Sequence, residues 1–164
     1  MSLRGYQVVL TKEDFKFSVA HFTVFGADRA ERLHGHNYRV SVFLAGKSTD
    51  SLGLLVNLED LKQVIRRICA DLDGKTLVPT DCSLLQVTRD AGRIDVCFGV
   101  RQYRFPEEDA LLLPIVNTSI EELAFYIWKE LAPSLDTSRV TELIVEVGET
   151  EGQSCRYGAA LSPS

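Results

Sequence analysis

The chain has 164 residues, of which 45% are hydrophobic and 25% are charged, and its formal net charge is -5. This length fits one domain or one compact subunit of an oligomer, with enough apolar material for a real core. The acidic balance argues against a nucleic-acid partner, although a local basic pocket could still bind an anionic substrate.

The first part of the chain is predicted to form two strands joined by a loop. Residues 6–21 have strand character, and alternate residues from Phe15 to His21 should share one face of the strand. Residues 26–29 read as a loop, and a second strand is expected over 37–44. These strands would be neighbours if the chain turns back in the loop.

Two amphipathic helices are predicted further along the chain. Asn57 is a suitable N-cap for a first helix whose apolar residues recur at spacings of three and four as far as Leu72. The helix should end near Gly74. A capping-box pattern beginning at Ser119 should open a second helix, and Pro133 should stop it.

The strands around these helices define the expected fold class. Two further strands are predicted over 142–147 and 154–161. Residues 77–114 lie between the helices and contain short strand-like segments with turn signals, so we interpret them as an inserted hairpin within a single domain, 1–164. The order of elements predicts an α+β protein with two helices on one face of an antiparallel sheet.

Hydropathy and cysteine spacing indicate the cellular compartment in which the protein is expected. The four cysteines contain no Cys-x-x-Cys pair, which favours reduced, packed thiols over a disulfide framework. We find no signal-peptide pattern and no apolar run long enough to cross a bilayer, so no membrane association is expected. These features predict a cytoplasmic protein.

The three histidines of the chain, His21, His34 and His36, lie within sixteen residues of sequence. Side chains two apart on a strand share a face and are about 7 Å apart at their Cα atoms. If the two strands pair across the loop, all three imidazoles can meet at one point. Three histidines without a thiolate are typical of a catalytic zinc, although surface or hydrogen-bonding roles are the alternative.

The same histidines carry a resemblance to a known family. His21 followed by the segment 33–38, Leu-His-Gly-His-Asn-Tyr, resembles the zinc motif of the 6-pyruvoyl-tetrahydropterin synthase family, which includes 6-carboxy-tetrahydropterin synthases. Segments 56–62, 117–121 and 147–150 resemble later family segments in the same order. The similarity covers nearly the whole chain except the insert.

The resemblance implies a tunnelling fold (T-fold) with two helices on a four-stranded antiparallel sheet. It implies Zn²⁺ on the three histidines and a homo-oligomer, a hexamer by analogy, with active sites between subunits. It also implies a small-molecule pterin substrate that is anchored by Glu149, with Thr118 and Ser119 near the pterin ring. A carboxylate suits the anchoring role because it accepts paired N–H donors. The residues alone would allow a solvated charge at Glu149 and helix-capping roles at the other two positions.

Two positions depart from the family pattern. The pyruvoyl and carboxy types carry a catalytic cysteine just before His-Gly-His, where this chain has Glu31. That replacement resembles a subgroup that releases 6-hydroxymethyl-7,8-dihydropterin from 7,8-dihydroneopterin triphosphate in folate synthesis. The family's Asp-His pair reads Asp73-Gly74, so a proton-relay histidine is missing. The resemblance therefore implies that Glu31 and Asp73 are catalytic, whereas an ordinary loop charge and a helix-end residue are the alternatives.

The leading hypothesis is a zinc-dependent pterin lyase of the glutamate subgroup. A pyruvoyl- or carboxy-type synthase is an alternative that the missing cysteine counts against. A catalytically silent, zinc-holding pterin binder is a second alternative, and Gly74 is its best support. A structural oligomer whose histidines bind no metal is a third. Lys16, Arg29 and Arg32 are candidate cations for the triphosphate.

Overall fold

The computed structural model describes residues 5–162, within which twelve strands and two α-helices occur. The helices are α1 (Leu58–Leu72) and α2 (Ile120–Leu131). In chain order the strands are β1 (Tyr6–Leu10), β2 (Lys16–His21), β3 (Val24–Gly26), β4 (Arg29–Ala30), β5 (His34–Gly46), β6 (Thr76–Pro79), β7 (Gln86–Asp90), β8 (Arg93–Phe98), β9 (Arg101–Pro106), β10 (Ala110–Leu113), β11 (Val140–Thr150) and β12 (Gln153–Ala160).

One large sheet forms the body of the protein. Its strand order is β10-β6-β2-β5-β11-β12. In addition, β1 pairs with residues 42–46, the C-terminal part of β5. Strands β1, β2 and β11 all run antiparallel to β5, and β12 runs antiparallel to β11. Both helices cover one face of this sheet, so the predicted α+β architecture of the T-fold is confirmed.

The insert contains the predicted antiparallel strands, and two further strands of it extend the main sheet. Strands β6 and β10 join the main sheet through parallel pairs, whereas β7, β8 and β9 form a separate antiparallel sheet. Leu77 and Val78 are both buried although they point to opposite faces. A short apolar run of this kind does not alternate between apolar and polar residues, so it gives no sign of a strand in a parallel pair. The position of β6 in the main sheet therefore could not be predicted from the sequence.

The helix boundaries follow the predicted caps. The Asn57 side chain accepts hydrogen bonds from two backbone N–H groups of the first turn of α1, and Ser119 does the same for Glu122 in α2. α1 ends at Leu72, after which Gly74 adopts φ +73, a left-handed conformation that favours glycine. The chain can therefore turn sharply from α1 into β6.

The helix-covered face of the main sheet carries the first hydrophobic core. Alternate side chains from Phe15 to His21 are buried, as predicted, while Lys16 and Ser18 between them are exposed. β5 alternates in the same way, with Tyr38 fully buried on the helix side. The histidines continue this alternation at the end of the sheet, so they lie where the core meets the solvent-accessible edge.

A second group of buried residues lies outside that core. It joins the segment 22–33 to the insert, and we call it the second core. Its buried members are Phe22, Val24, Val78, Leu85, Ile94, Val96, Phe98 and Ala110. The described part of the chain therefore contains two apolar centres, one under the helices and one beneath the insert sheet.

Within residues 5–162 neither helix is long and apolar enough to cross a membrane. The four cysteines are free thiols, as the sequence predicts, and burial raises the pKa of Cys69 to about 12. The cytoplasmic location remains a prediction.

Candidate active site

Three imidazoles meet at one end of the main sheet. Strands β2 and β5 pair so that His21 lies directly opposite His34, and His36 follows on the same face. The centroids of the three rings are between 4.7 and 5.4 Å apart. One ring nitrogen from each histidine lies within 4.8 Å of the others, so the predicted histidine set converges on a point that could hold a metal ion.

Backbone carbonyls orient two of these rings. The Nδ1 atom of His21 is 3.0 Å from the carbonyl oxygen of Thr118, and that of His34 is 2.7 Å from the carbonyl of Arg32. A carbonyl only accepts, so each Nδ1 carries the proton and leaves the Nε2 lone pair free, as a metal ligand requires. Burial, followed by the neighbouring His34, lowers the pKa of His21, which favours the neutral ring.

Glu149 closes one side of the histidine cluster. Its Oε1 atom is 3.2 Å from the Nε2 atom of His36 and accepts a hydrogen bond of 3.0 Å from the Tyr38 hydroxyl. Gln153 donates to the other carboxylate oxygen at 2.7 Å. The Glu149 side chain is only 13% exposed, which is at odds with the alternative of a solvated strand-end charge.

Tyr38 and Gln153 were not predicted as site residues. Burial is the main cause that raises the pKa of Tyr38, so its hydroxyl stays protonated and can donate to Glu149. The hydroxyl oxygen also lies 3.1 Å from the Nε2 atom of His21. Tyr38 follows His36 by two positions on the same strand, and this spacing could have identified it.

Glu31 lies beside the histidines on a short hairpin formed by β3 and β4. Its Oε2 atom is 4.0 Å from the Nε2 atom of His34 and accepts a 2.9 Å hydrogen bond from the backbone N–H of Thr23. Burial by itself would raise the pKa of Glu31, but the hydrogen bonds from Thr23 and the nearby histidines outweigh it and lower that pKa. Glu31 is therefore held as a carboxylate next to the cluster.

Thr118 and Ser119 occupy adjacent but different environments. Thr118 is fully buried, and its hydroxyl donates to the carbonyl of Phe22 at 2.9 Å while its own carbonyl orients His21. Ser119 caps α2. The side chain of Asn117 fixes this segment by bonding both backbone groups of Val24. Thr118 and Ser119 therefore both stabilise the local structure, and their contact with a pterin remains a prediction.

The carboxylate of Asp73 contacts the backbone of β2 and makes no hydrogen bond to the histidines that the structure describes. It accepts a 2.7 Å hydrogen bond from the backbone N–H of Ser18, and Gly74 donates to the Ser18 carbonyl at 2.8 Å. These bonds fasten the end of α1 to β2 on the part of the strand that precedes His21. Within one copy of the chain the predicted catalytic Asp73 acts as a structural link.

A cleft of about 610 Å³ opens beside Glu149 and gives access to this end of the sheet. Lys16 and Arg39 line it together with Tyr38. Lys16 was a predicted cation, whereas Arg39 was missed. Arg29 instead lies 5.3 Å from the ring centroid of Phe25, at the tip of the hairpin. The cleft has both a carboxylate and cations, which suits a substrate with an N–H-rich ring and an anionic tail.

The T-fold sheet and the histidine cluster are the features that the resemblance to a family of lyase-type pterin synthases implies. The model of the family described as 6-pyruvoyl tetrahydropterin synthase matches residues 10–160. The chain therefore belongs to that family.

Individual relatives agree with this placement. A putative 6-carboxy-5,6,7,8-tetrahydropterin synthase from Methanocaldococcus jannaschii is 30% identical over 87% of this chain and 88% of its own. Solved structures of 6-pyruvoyl tetrahydropterin synthase from Plasmodium vivax and Plasmodium falciparum are each 28% identical, with TM-scores of 0.88 and 0.89. They cover 95% and 96% of this chain, and 98% and 99% of their own chains are matched.

The Plasmodium vivax protein has also been solved with a glutamate replaced by alanine and by cysteine, and that glutamate is described as its catalytic residue.

Proposed function

We propose that this protein is a zinc-dependent lyase that converts 7,8-dihydroneopterin triphosphate to 6-hydroxymethyl-7,8-dihydropterin, a step of a folate-type pathway. The observation that carries the proposal is the position of the Glu31 carboxylate, whose Oε2 atom is 4.0 Å from the Nε2 atom of His34. Glu31 stands in the segment where the pyruvoyl and carboxy types have a catalytic cysteine, and this chain has no cysteine there. The catalytic glutamate of the Plasmodium vivax relative supports the same assignment.

The residues of the site have separate tasks in this proposal. His21, His34 and His36 hold the ion, and Glu149 accepts the paired N–H donors of the pterin ring. Zinc, when bound, polarises the side-chain hydroxyls of the substrate and lowers their pKa. Lys16 and Arg39 line the cleft and would neutralise the triphosphate, Arg39 by exchanging its exposed partner Glu13 for the substrate.

Glu31 is the general base of the proposed reaction. Glu31 takes the proton from the hydroxyl on the second carbon of the substrate's side chain. The electron pair of that O–H bond forms a carbonyl while the bond between the first and second side-chain carbons breaks. The electron pair of the broken carbon–carbon bond stays on the first carbon, and the imine of the dihydropterin ring stabilises the resulting carbanion. Return of the proton to that carbon gives the hydroxymethyl product and glycolaldehyde triphosphate. The lowered pKa of Glu31 keeps it in the base form at neutral pH.

One observation favours a second candidate, a silent zinc-holding pterin binder. Asp73 is engaged with the backbone of β2, and Gly74 has no side chain to relay a proton. Such a protein would keep the cluster and Glu149 but would not turn over substrate.

We also propose that copies of this chain form a homo-oligomer with active sites between subunits. In residues 5–162, β12 and β10 lie at the two ends of the strand order of the main sheet, and an unpaired edge is suited to pairing with another copy. Sedimentation velocity would test this: a multiple of the 18.3 kDa chain mass is expected, and a monomer at all concentrations would contradict it.

Product analysis tests the proposed activity. The zinc-loaded protein is incubated with 7,8-dihydroneopterin triphosphate and the product is identified by mass spectrometry, with Glu31→Ala as the test variant and Glu130→Gln, an exposed carboxylate on α2, as the matched control. A hydroxymethylpterin that disappears only in Glu31→Ala supports the lyase. A pyruvoyl product would contradict it, and pterin binding without turnover would favour the silent binder.

A further inference from the structure

The hairpin that carries Glu31 has little structure of its own. Strands β3 and β4 have three and two residues, and their pairing contains an irregularity between Val24 and Gly26. Such a short ladder provides few backbone hydrogen bonds, and an isolated hairpin is marginally stable in water. Something outside the hairpin must therefore fix the carboxylate.

The insert supplies the surface on which this hairpin rests. Phe22 and Val24 are buried in the second core together with residues from β6, β8 and β10. Tyr103 of β9 stacks on Phe22 with ring centroids 5.2 Å apart and planes inclined by 28°. Ala30 and Leu33, which end the hairpin, pack against the same cluster. The base of the hairpin is thus packed on the insert, whereas its tip, with Phe25, is exposed.

One side chain of the insert bonds directly to the backbone of the glutamate. The Nη1 atom of Arg101 donates to the carbonyl of Glu31 at 2.6 Å and to the carbonyl of Ala30 at 3.2 Å. The guanidinium is partly buried and lies 6.0 Å from the ring centroid of Phe98. Hydrogen bonds from a charged donor are about twice as strong as neutral ones, so this contact fixes two consecutive peptide groups.

On the other side of the same peptide, Glu31 is tied to Thr23 by a reciprocal pair. The N–H of Glu31 donates to the carbonyl of Thr23 at 2.9 Å, and the N–H of Thr23 donates to the Glu31 carboxylate at 2.9 Å. With the carbonyl of Glu31 held by Arg101, both backbone groups and the side chain have fixed partners. The carboxylate can then point at His34 in only a narrow range of positions.

We propose that the insert is a positioning platform for the catalytic hairpin and that Arg101 is a positioning residue that acts through Glu31. This inference rests on the proposed function, because it assigns Arg101 a share in the reaction for which Glu31 is the base. Arg101 touches neither the histidines nor the cleft beside Glu149. Its loss should slow the chemical step and leave metal and pterin binding intact.

Steady-state kinetics of three variants test this. Arg101→Ala is expected to lower kcat by about ten- to a hundredfold, because a displacement of about 1 Å at a reacting group costs on this order. KM and zinc content should stay within about twofold of wild type, since neither binding site is touched. Arg101→Lys should restore part of kcat. Arg104→Ala is the matched control because Arg104, also on β9, is exposed and pairs with Asp95 instead.

A double-mutant cycle with Glu31→Gln separates positioning from general destabilisation. If Arg101 acts through Glu31, Arg101→Ala lowers kcat in the wild-type background but by less than about twofold in Glu31→Gln. Equal effects in both backgrounds, or an equal loss of kcat in Arg104→Ala, would overturn the inference.

Hydrogen exchange decides the inference even when turnover is absent. Faster exchange of the amides in residues 22–33 is expected in Arg101→Ala and not in Arg104→Ala, and unchanged exchange would overturn the inference. A wild-type protein that makes no hydroxymethylpterin would instead overturn the proposed function, so the two failures are distinguishable.

Discussion

The histidine cluster and the Glu31 hairpin lie side by side but depend on different parts of the molecule. The histidines lie on β2 and on the 13-residue β5, whose pairing sets His21 opposite His34 within the main sheet. Glu31 follows strands of three and two residues that rest on the second core. We therefore predict that the strands carrying the proposed metal ligands and the packing beneath the proposed general base can be perturbed separately, although the carbonyl of Arg32, next to Glu31, also orients His34.

The largest effect is expected from removing a histidine. His34→Ala should reduce bound zinc from about one ion per chain to nearly none, because two imidazoles cannot complete the three-ligand set. Metal analysis by plasma mass spectrometry checks this. Lyase activity should fall with the metal, and a variant that keeps its full zinc content would remove the assigned site.

The next largest effect tests whether each of the two hydrophobic cores can be destabilised without the other. Ile94→Ala removes a side chain that is only 2% exposed in the second core, and Ile65→Ala makes the matched change in the first core. Each should lower the free energy of unfolding by about 2–5 kcal/mol. On gentle warming, Ile94→Ala should lose activity while zinc is retained, whereas Ile65→Ala should lose both together. Parallel loss in both variants would contradict separate scaffolds.

Sequence patterning could predict the histidine region because its geometry is local. The spacing of His34 and His36 on one strand, plus a single antiparallel pairing with the strand of His21, is enough to bring the rings together. The antiparallel part of the main sheet and the two capped helices could be predicted for the same reason, since they have clear periods, whereas the parallel strands β6 and β10 could not.

The surroundings of Glu31 could not be predicted because they depend on distant residues. Arg101 bonds to Glu31 across 70 positions, and Thr118 bonds to His21 across 97. No local period encodes such contacts. Asp73 shows the same limit: its contact with Ser18, 55 positions away, gives it a structural role that its place at a helix end did not reveal.

A smaller effect is expected at the pterin anchor. Tyr38→Phe removes a donor to the Glu149 carboxylate, so the pterin Kd should rise about tenfold, in line with a hydrogen bond to a charged group. Isothermal titration with a pterin measures this, and Tyr126→Phe on α2 is the control. Unchanged affinity would show that Tyr38 does not set the position of Glu149.

The smallest effect concerns acid stability of the metal-free protein. The folded-state pKa of His21 lies below its usual 6.5, so the unfolded chain binds more protons than the folded one as pH falls. The stability contributed by neutral His21 is present above pH 6.5 and is lost as pH falls through the lowered pKa. Denaturant unfolding between pH 8 and pH 5 should show this decline, and a pH-independent free energy of unfolding would contradict the neutral buried ring.

The central claim is that Glu31 is the base of a carbon–carbon lyase and lies beside the proposed zinc site. The most direct measurement is the product formed from 7,8-dihydroneopterin triphosphate by zinc-loaded wild type and Glu31→Gln, with zinc counted in both. We predict 6-hydroxymethyl-7,8-dihydropterin from the wild type, a loss of about 10²–10⁴-fold in Glu31→Gln, and equal zinc in the two proteins. A pyruvoyl product, or full activity without the Glu31 carboxylate, would contradict the account.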